Sequence, residues 1–275
     1  MAIGASSQSL VVRVLVLTGA GVSAESGIPT FRGKDGYWRN LDPTKLATAD
    51  AFTRDPQLVW EWYRERRQRI SDARPNAAHE AIARLAQCTD EFLLVTQNVD
   101  DLHARGGIPA QKMVQIHGDI FVTRCSRCEF ERYDYRPSQS HSAAGEHEHP
   151  PSPRLRRTSE QEQKAGIPKC SQCTALMRPG VVWFDEHLPW NEVERVETFL
   201  DTGACDVVIV AGTTATFGYI IDWALRGSRD GGELIEVNPE ETPLSRFATR
   251  LVREPAAIAL PRIVDELTGS RSSKL

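Results

Sequence analysis

No stretch of this 275-residue chain carries the roughly 18 consecutive apolar residues that a membrane-spanning helix needs. The longest candidate, LVVRVLVLTGAG, is broken by Arg13 and reads as a buried strand. A basic excess is missing too. The 33 Lys and Arg face 37 Asp and Glu, a net charge of −4, so no overall field gathers nucleic acid. Cysteine is scarce, with six residues, and the start lacks a basic n-region followed by an apolar core and cleavage site. A secreted, disulfide-built protein is therefore not expected. An Arg-rich transit helix and internal repeats are also lacking. What remains is ordinary globular composition, 40% hydrophobic and 25% charged, at a length that suits one large domain carrying a smaller module. The expected state is a monomer with no nucleic-acid or membrane partner. The last three residues, Ser273 to Leu275, read SKL and match a peroxisomal address. The expected location is the peroxisome in a eukaryotic host, and otherwise mitochondrial or cytoplasmic.

Along the chain, strands alternate with helices. A strand from Val11 to Leu17 runs into TGAGVSAESGIP. EFLLVTQNVD, KMVQIHG, CDVVIVAGTT and GELIEVNPE read as four more strands, each closing on small or polar residues. DPQLVWEWYRERRQRI and NAAHEAIARLAQ carry helical signals, with Asp55 before Pro56, and Asn76, as N-caps. This alternation predicts an α/β fold: a Rossmann-like parallel sheet wrapped on both faces, with ligands at the carboxyl ends of its strands. The rhythm breaks between Cys125 and Cys173. The expected division is a Rossmann-type domain of residues 1–38, 85–124 and 174–275 and a small domain of residues 39–84 and 125–173. A mobile loop is expected at about 137–166, because its Ser, Pro, Glu and His content buries too little apolar surface to order it. His141, His147 and His149 in that loop can bind metal or simply face solvent.

Four of the six cysteines form two pairs, Cys125/Cys128 in RCSRC and Cys170/Cys173 in KCSQC. Two such pairs place four thiolates tetrahedrally around one zinc ion, and the long insertion between them adds closure cost only slowly. Four thiolates leave no open position for water, so the zinc is expected to be structural. Disulfides are the alternative. Cys88 and Cys205 are expected to be ordinary buried thiols.

GAGVSAESGIPTFRG follows a strand and is expected to open a helix, with Gly19, Gly21 and Gly27 allowing close backbone approach and the helix start offering amides to phosphate. It is not GxGxxG, so the glycines alone say little. The whole string, however, resembles the signature of the sirtuins, NAD-dependent protein-lysine deacylases. TQNVD (Thr96–Asp100), His117-Gly118, the two cysteine pairs, GTT (Gly212–Thr214) and VNPE (Val237–Glu240) match the family in order, over nearly the whole chain. The resemblance implies a Rossmann-type domain that binds NAD as a consumed co-substrate, and a second lobe with a helical part and one zinc ion. By position, Ala20 to Trp38 would line the NAD site. With Gly19 just before it, this segment takes in Ala20, Gly21, Ser23, Ser26, Gly27, Ile28, Pro29, Phe31, Arg32, Tyr37 and Trp38, with Arg32 near the phosphates and nicotinamide-side ribose. Gln97, Asn98, Val99 and Asp100 would border the ribose and nicotinamide. Gly212, Thr213, Asn238 and Glu240 would hold the adenosine half, with Thr214, Pro239 and Ala256 also among the cofactor-binding residues. Thr214 stands where the family has Ser, and ATFGY replaces a run that contains Pro, so the adenine side departs from the pattern.

The resemblance makes His117 the general base, and an imidazole suits proton abstraction from a ribose hydroxyl near neutrality. The implied reaction joins the acyl oxygen of a modified lysine to the nicotinamide ribose and expels nicotinamide; a ribose hydroxyl then attacks the resulting imidate, and water completes the release of free lysine and O-acyl-ADP-ribose. VVWFDEH, Val181–His187, resembles an edge strand that pairs with an extended acyl-lysine peptide, with Val182, Trp183, Phe184 and Glu186 at the substrate. Tyr63 and Arg66, three apart on one helix face, match the Tyr-x-x-Arg of class III sirtuins, which remove succinyl, malonyl and glutaryl groups. A carboxylate buried in an apolar tunnel needs partners, and a guanidinium and a phenol supply them. Ala47 and Ala49 resemble the small residues that make room for a bulkier acyl group. The residues alone leave other readings open. Arg64, Arg67 and Arg69 also fit a solvated basic face, and the chain as a whole also fits a general deacetylase, a mono-ADP-ribosyltransferase or a non-catalytic zinc-ribbon binding module.

Overall fold

The computed structural model describes residues 13–30, 42–134 and 166–269. Phe31, Arg32, Tyr37, Trp38, the three loop histidines and the terminal SKL lie outside the described residues. The chain divides into two compact units, one of residues 1–35, 74–117 and 188–275 and one of residues 36–73 and 118–187.

The strands of the larger unit are β1 Val14–Thr18, β2 Phe92–Thr96, β3 Met113–Gln115, β7 Val207–Ala211, β8 Glu233–Val237 and β9 Arg250–Val252. They form a six-stranded sheet of order β3-β2-β1-β7-β8-β9, every neighbouring pair parallel. β1, β2 and β7 are buried along their whole length. Their apolar runs follow from helices covering both faces, which leave no solvent side to demand polar alternation. Alternate residues still sort by face. Val14 and Val16 join Ile82, Ala259 and Ile263, whereas Leu15 and Leu17 join Leu200, Ile220 and Trp223. Helices α4 Ala77–Cys88 and α8 Ala256–Thr268 supply the first cluster, α6 Trp190–Asp201 and α7 Gly218–Gly227 the second. A single turn, α5 Leu102–Arg105, lies between β2 and β3. The chain leaves β1 for β2 on one side and returns as β7 on the other, so a topological switch point lies at the carboxyl ends of β1 and β7.

Among the described residues, the smaller unit has three helices, α1 Pro43–Leu46, α2 Ala49–Arg54 and α3 Pro56–Asp72, and the strands β4 Gly118–Cys125, β5 Glu131–Tyr133 and β6 Met177–Val181. The strands form an antiparallel sheet of order β5-β4-β6. Asp55 caps α3 by accepting from the Leu58 N–H at 2.9 Å, and Asn76 caps α4 through the Ala78 N–H at 2.9 Å. Trp60 Nε1 donates to the Met177 carbonyl at 2.9 Å. Arg67 donates to the Ile120 and Val122 carbonyls at 2.6 and 2.8 Å and pairs with Asp134 at 3.2 Å. One apparent surface arginine thus bolts α3 to the sheet, while Arg69 faces outward against Glu65.

Several expectations change. α4 packs on the large sheet beside α8, where Arg84 meets Asp265 at 2.8 Å, so it belongs to the larger unit and the division falls at 73/74 rather than 84/85. β6 pairs with β4 and carries residues 174–187 into the smaller unit, and the other divisions fall at 35/36 and 117/118. The glycine-rich turn opens a helix as expected, of the 3₁₀ type over the seven residues Ala20–Ser26. Gly27 ends it at φ +82°, its N–H bonded to the carbonyls of Ser23 and Ala24. The three-residue β9 adds a parallel strand beyond those expected. Cys88 is exposed at the last position of α4, whereas Cys205 is buried.

Candidate active site and metal centre

The loops after β1, β2, β3, β7 and β8 carry the larger unit's polar constellation. After β1 and β7 the backbones press together. A Cβ on Gly21 would lie 2.8 Å from Gly212 Cα, one on Gly19 2.8 Å from Thr213 Cβ, and one on Gly212 2.4 Å from Val22 N. Side chains are excluded there, and the Gly21 N–H bonds the Gly212 carbonyl at 2.8 Å. The bare backbone floor at the switch point fits a dinucleotide, whose phosphates need such close approach. Gln97 ties this floor together. Its N–H donates to Thr18 O at 2.9 Å, and its Nε2 to Thr213 Oγ1 at 2.9 Å. Asn238, buried after β8, donates from Nδ2 to Thr213 O at 2.6 Å, and Glu240 N donates to Asn238 Oδ1 at 3.3 Å. Thr214 Oγ1 meets Thr216 Oγ1 at 3.0 Å. Ser26 accepts from Asn76 Nδ2 at 3.0 Å, Ile28 is buried, and Pro29 and Ala20 edge the turn. Val99 is half-buried between Asn98 and Asp100, and Pro239 is exposed after Asn238. Ala256 is buried in the apolar cluster at the start of α8.

A second network lies beneath. Ser23 Oγ donates to Asp100 Oδ2 at 3.0 Å and accepts from Asn98 Nδ2 at 3.2 Å, with His79 Nε2 at 3.4 Å. His79 Nδ1 accepts the Asn76 N–H at 3.2 Å, which puts the ring proton on Nε2, facing Ser23. His103 Nε2 meets Thr18 Oγ1 at 3.0 Å, and the two imidazoles stand 4.7 Å apart. Burial sets the charge states. It lowers His79 to about 4, pushes His103 well below its usual value, and raises Asp100 to about 6. Sequence reasoning missed His79 and His103. The only signals were a histidine at the third helical position behind an Asn cap and another behind TQNVDDL.

His117 follows β3. Its Nδ1 lies 2.9 Å from the Gln97 carbonyl, and a carbonyl only accepts, so Nδ1 carries the proton and Nε2 keeps the lone pair. Burial lowers its pKa and the Gln97 carbonyl partly offsets that, leaving a neutral imidazole near pH 7. Nε2 lies 2.6 Å from the Tyr219 hydroxyl.

In the smaller unit, Tyr63 is buried at 2% exposure and its hydroxyl accepts from Trp183 Nε1 at 3.0 Å. Burial pushes the phenol up to about 12, against the pull of the Arg66 charge and the Trp183 N–H, so it remains a donor. Half-buried Arg66 stacks its guanidinium 4.9 Å from the Trp62 ring centroid and 5.9 Å from that of Tyr63. The expected edge strand at Val181–His187 is not formed. β6 stops at Val181 and residues 182–187 turn back. Glu186 causes the turn. Its carboxylate takes the Trp183 N–H at 2.9 Å, both terminal nitrogens of Arg178, and Arg124 Nη2 at 3.2 Å. Arg178 in turn lies 3.2 Å from the Trp183 ring centroid. Glu186 is thus a structural anchor in its own unit. Val182 is half-buried and Phe184 half-exposed, with the Phe184 N–H bonded to the Ala47 carbonyl at 3.0 Å and the Ala49 N–H to Asp185.

The four sulfurs of Cys125, Cys128, Cys170 and Cys173 lie within 4.8 Å of one another, with Cys125–Cys173 at 3.4 Å and Cys128–Cys170 at 3.6 Å. A disulfide needs about 2.05 Å. Four sulfurs each about 2.3 Å from a zinc ion stand about 3.8 Å apart, so the set fits a tetrahedral zinc site of four thiolates.

Fold and site together define a doubly wound dinucleotide-binding protein with a four-cysteine module. The Sir2 family model matches residues 19–217. An NAD-dependent protein deacylase of Aquifex aeolicus is 40% identical over 263 residues, 96% of this chain and 98% of that protein. Among solved structures, a Sir2 homolog–NAD complex aligns with a TM-score of 0.76 at 39% identity, covering 94% of this chain and 91% of the other. A Sir2–p53 peptide–NAD+ complex aligns at 0.72 with 27% identity, covering 94% of both. The chain belongs to the Sir2 family.

Proposed function

We propose that this chain is an NAD-dependent protein-lysine deacylase selective for acidic acyl groups, namely succinyl, malonyl and glutaryl. The observation that carries the reading is the side-by-side placement of a buried, protonated phenol and a half-buried guanidinium at Tyr63 and Arg66. Both donate, and a carboxylate accepts from both. Such a pair contributes about 2–4 kcal/mol of discrimination against a neutral acetyl group, roughly 30- to 1,000-fold.

NAD, when bound, supplies the electrophilic ribose carbon whose bond to nicotinamide is given up. The glycine floor of Gly19, Gly21 and Gly212 admits its phosphates, with Ser23, Asn98 and Asp100 toward the ribose and nicotinamide and Thr213, Asn238 and Glu240 toward the adenosine. His117 removes a ribose hydroxyl proton through Nε2, and the Gln97 carbonyl stabilises the imidazolium through Nδ1–H. The zinc ion of the four-cysteine site holds the smaller unit together and takes no part in the reaction. Extended acyl-lysine peptides are the substrates, in keeping with the peptide in the related complex. In that complex the bound partners are a p53 peptide and NAD+.

Replacing His117 by Tyr tests the reading. The variant should keep the wild-type far-UV spectrum and zinc content yet release neither free lysine peptide nor O-acyl-ADP-ribose by mass spectrometry. Product formation by the folded variant would overturn the base assignment.

A further inference from the structure

The run ATFGY, Ala215 to Tyr219, ends on the residue that meets His117. Phe217 precedes α7 without a side-chain cap, Gly218 opens the helix, and Tyr219 stands in its first turn. The Tyr219 ring stacks on Phe217 with centroids 5.5 Å apart and leans on Trp223 at 4.9 Å, which aims the hydroxyl at His117 Nε2, 2.6 Å away. Phe217 also sits edge-on to the imidazole, 5.7 Å between centroids.

A neutral imidazole has one in-plane lone pair. Here Nδ1–H is committed to Gln97, so that lone pair is on Nε2 and the phenol donates into it. A ribose hydroxyl handing its proton to the base needs the same lone pair from the same direction. The two oxygens exclude each other. We propose that Tyr219 is an internal competitor for the general base, capping His117 Nε2 in the unliganded enzyme until the ribose hydroxyl of NAD displaces it. The inference rests on His117 being the base, as read above. The first turn of α7 is suited to the movement, since a helix start without a side-chain cap and with Gly at its first position opens at low cost. Gln97 and Phe217 bring no charge to the imidazole, and burial raises the Tyr219 phenol, keeping it protonated. A donor on the lone pair favours the neutral ring. Capping therefore lowers the base's pKa in the free enzyme and makes co-substrate binding weaker than it would otherwise be.

Tyr219→Phe keeps the ring contacts and removes the hydroxyl. By titration calorimetry its NAD dissociation constant should fall about three- to tenfold, the worth of one neutral hydrogen bond no longer to be broken. By NMR its free-enzyme His117 should titrate at higher pH than in the wild type, and the two proteins should coincide once NAD is saturating. An unchanged dissociation constant with an unchanged His117 titration overturns the proposal, and so does weaker binding, which would make Tyr219 a ligand of NAD. The wild type gives an independent reading: saturating NAD should shift the Tyr219 ring resonances, and resonances that stay put contradict displacement. These readouts concern binding and titration. If His117 is not the base, turnover survives His117→Tyr, and that failure is separate from theirs.

Discussion

Trp183 Nε1 donates to the Tyr63 hydroxyl at 3.0 Å, and Arg178 lies over the same indole, 3.2 Å from its centroid. An indole N–H only donates, so the Tyr63 oxygen is the acceptor and the phenol's own proton is left to point elsewhere. On the proposed function that proton goes to the acyl carboxylate. Trp183→Phe keeps the aromatic contact with Phe52, 5.5 Å away, and deletes the N–H. The ratio of kcat/KM for succinyl over acetyl peptide should drop about five- to tenfold, near the worth of one hydrogen bond, with acetyl turnover close to wild type. A ratio equal to wild type in the folded variant refutes this positioning role.

Among the described residues, the four-cysteine module has little apolar core of its own. Besides the cysteines, its cluster holds buried Met177 with Phe130 and Ala175 partly buried. Metal must supply most of its stability. Elemental analysis should give one zinc per chain. Chelation should expose the segments around Cys125 and Cys170 to protease at the rate at which activity is lost. Activity that disappears while those segments stay protected would make the zinc catalytic.

Acid should destabilise the larger unit in two stages. His79 and His103 are buried and neutral, with folded pKa values below the unfolded value of about 6.5, so the unfolded chain binds protons first as pH falls. Each histidine costs about 1.4 kcal/mol of stability per pH unit below about 6.5, until its folded pKa is reached, about 4 for His79. Asp100, raised to about 6, works in the opposite direction: the folded state protonates first, so acidification from about 6 toward 3.8 restores stability at a similar slope. Denaturant melts should therefore show the steepest loss between about pH 6.5 and 6 and about half that slope below it. His79→Asn, which keeps an acceptor for the Asn76 N–H, should flatten the first stage. A stability that is level from pH 7 to pH 5 contradicts these charge states.

Much of this is legible in the sequence, and for physical reasons. Parallel strands buried on both faces read as apolar runs, as in VLVLT and VVIVA, and the caps Asp55 and Asn76 carry side chains that only a helix start uses so well. Paired CxxC spacing encodes a sulfur tetrahedron, whatever the length of the insertion. What escapes depends on long-range contacts. That α4 joins the larger unit is decided by α8, about 180 residues away in the chain. VVWFDEH looks like a strand by composition, but Glu186 folds it back onto Arg178 and Trp183. Arg67, Arg66 and Arg69 are alike in sequence and differ in their surroundings: Arg67 meets two backbone carbonyls and Asp134, Arg66 lies by two aromatic rings, and Arg69 pairs with a surface carboxylate. The His117–Tyr219 contact joins residues 102 positions apart, beyond the reach of any local sequence pattern.

The most direct test is a paired assay on one peptide bearing succinyl- or acetyl-lysine, with nicotinamide release followed in wild type and Arg66→Met. The account predicts release that requires an acylated peptide, a wild-type kcat/KM at least about 30-fold higher for succinyl, and loss of that margin in the variant with acetyl turnover retained. Acetyl removed as well as succinyl by the wild type, or equal loss on both substrates in Arg66→Met, would contradict it.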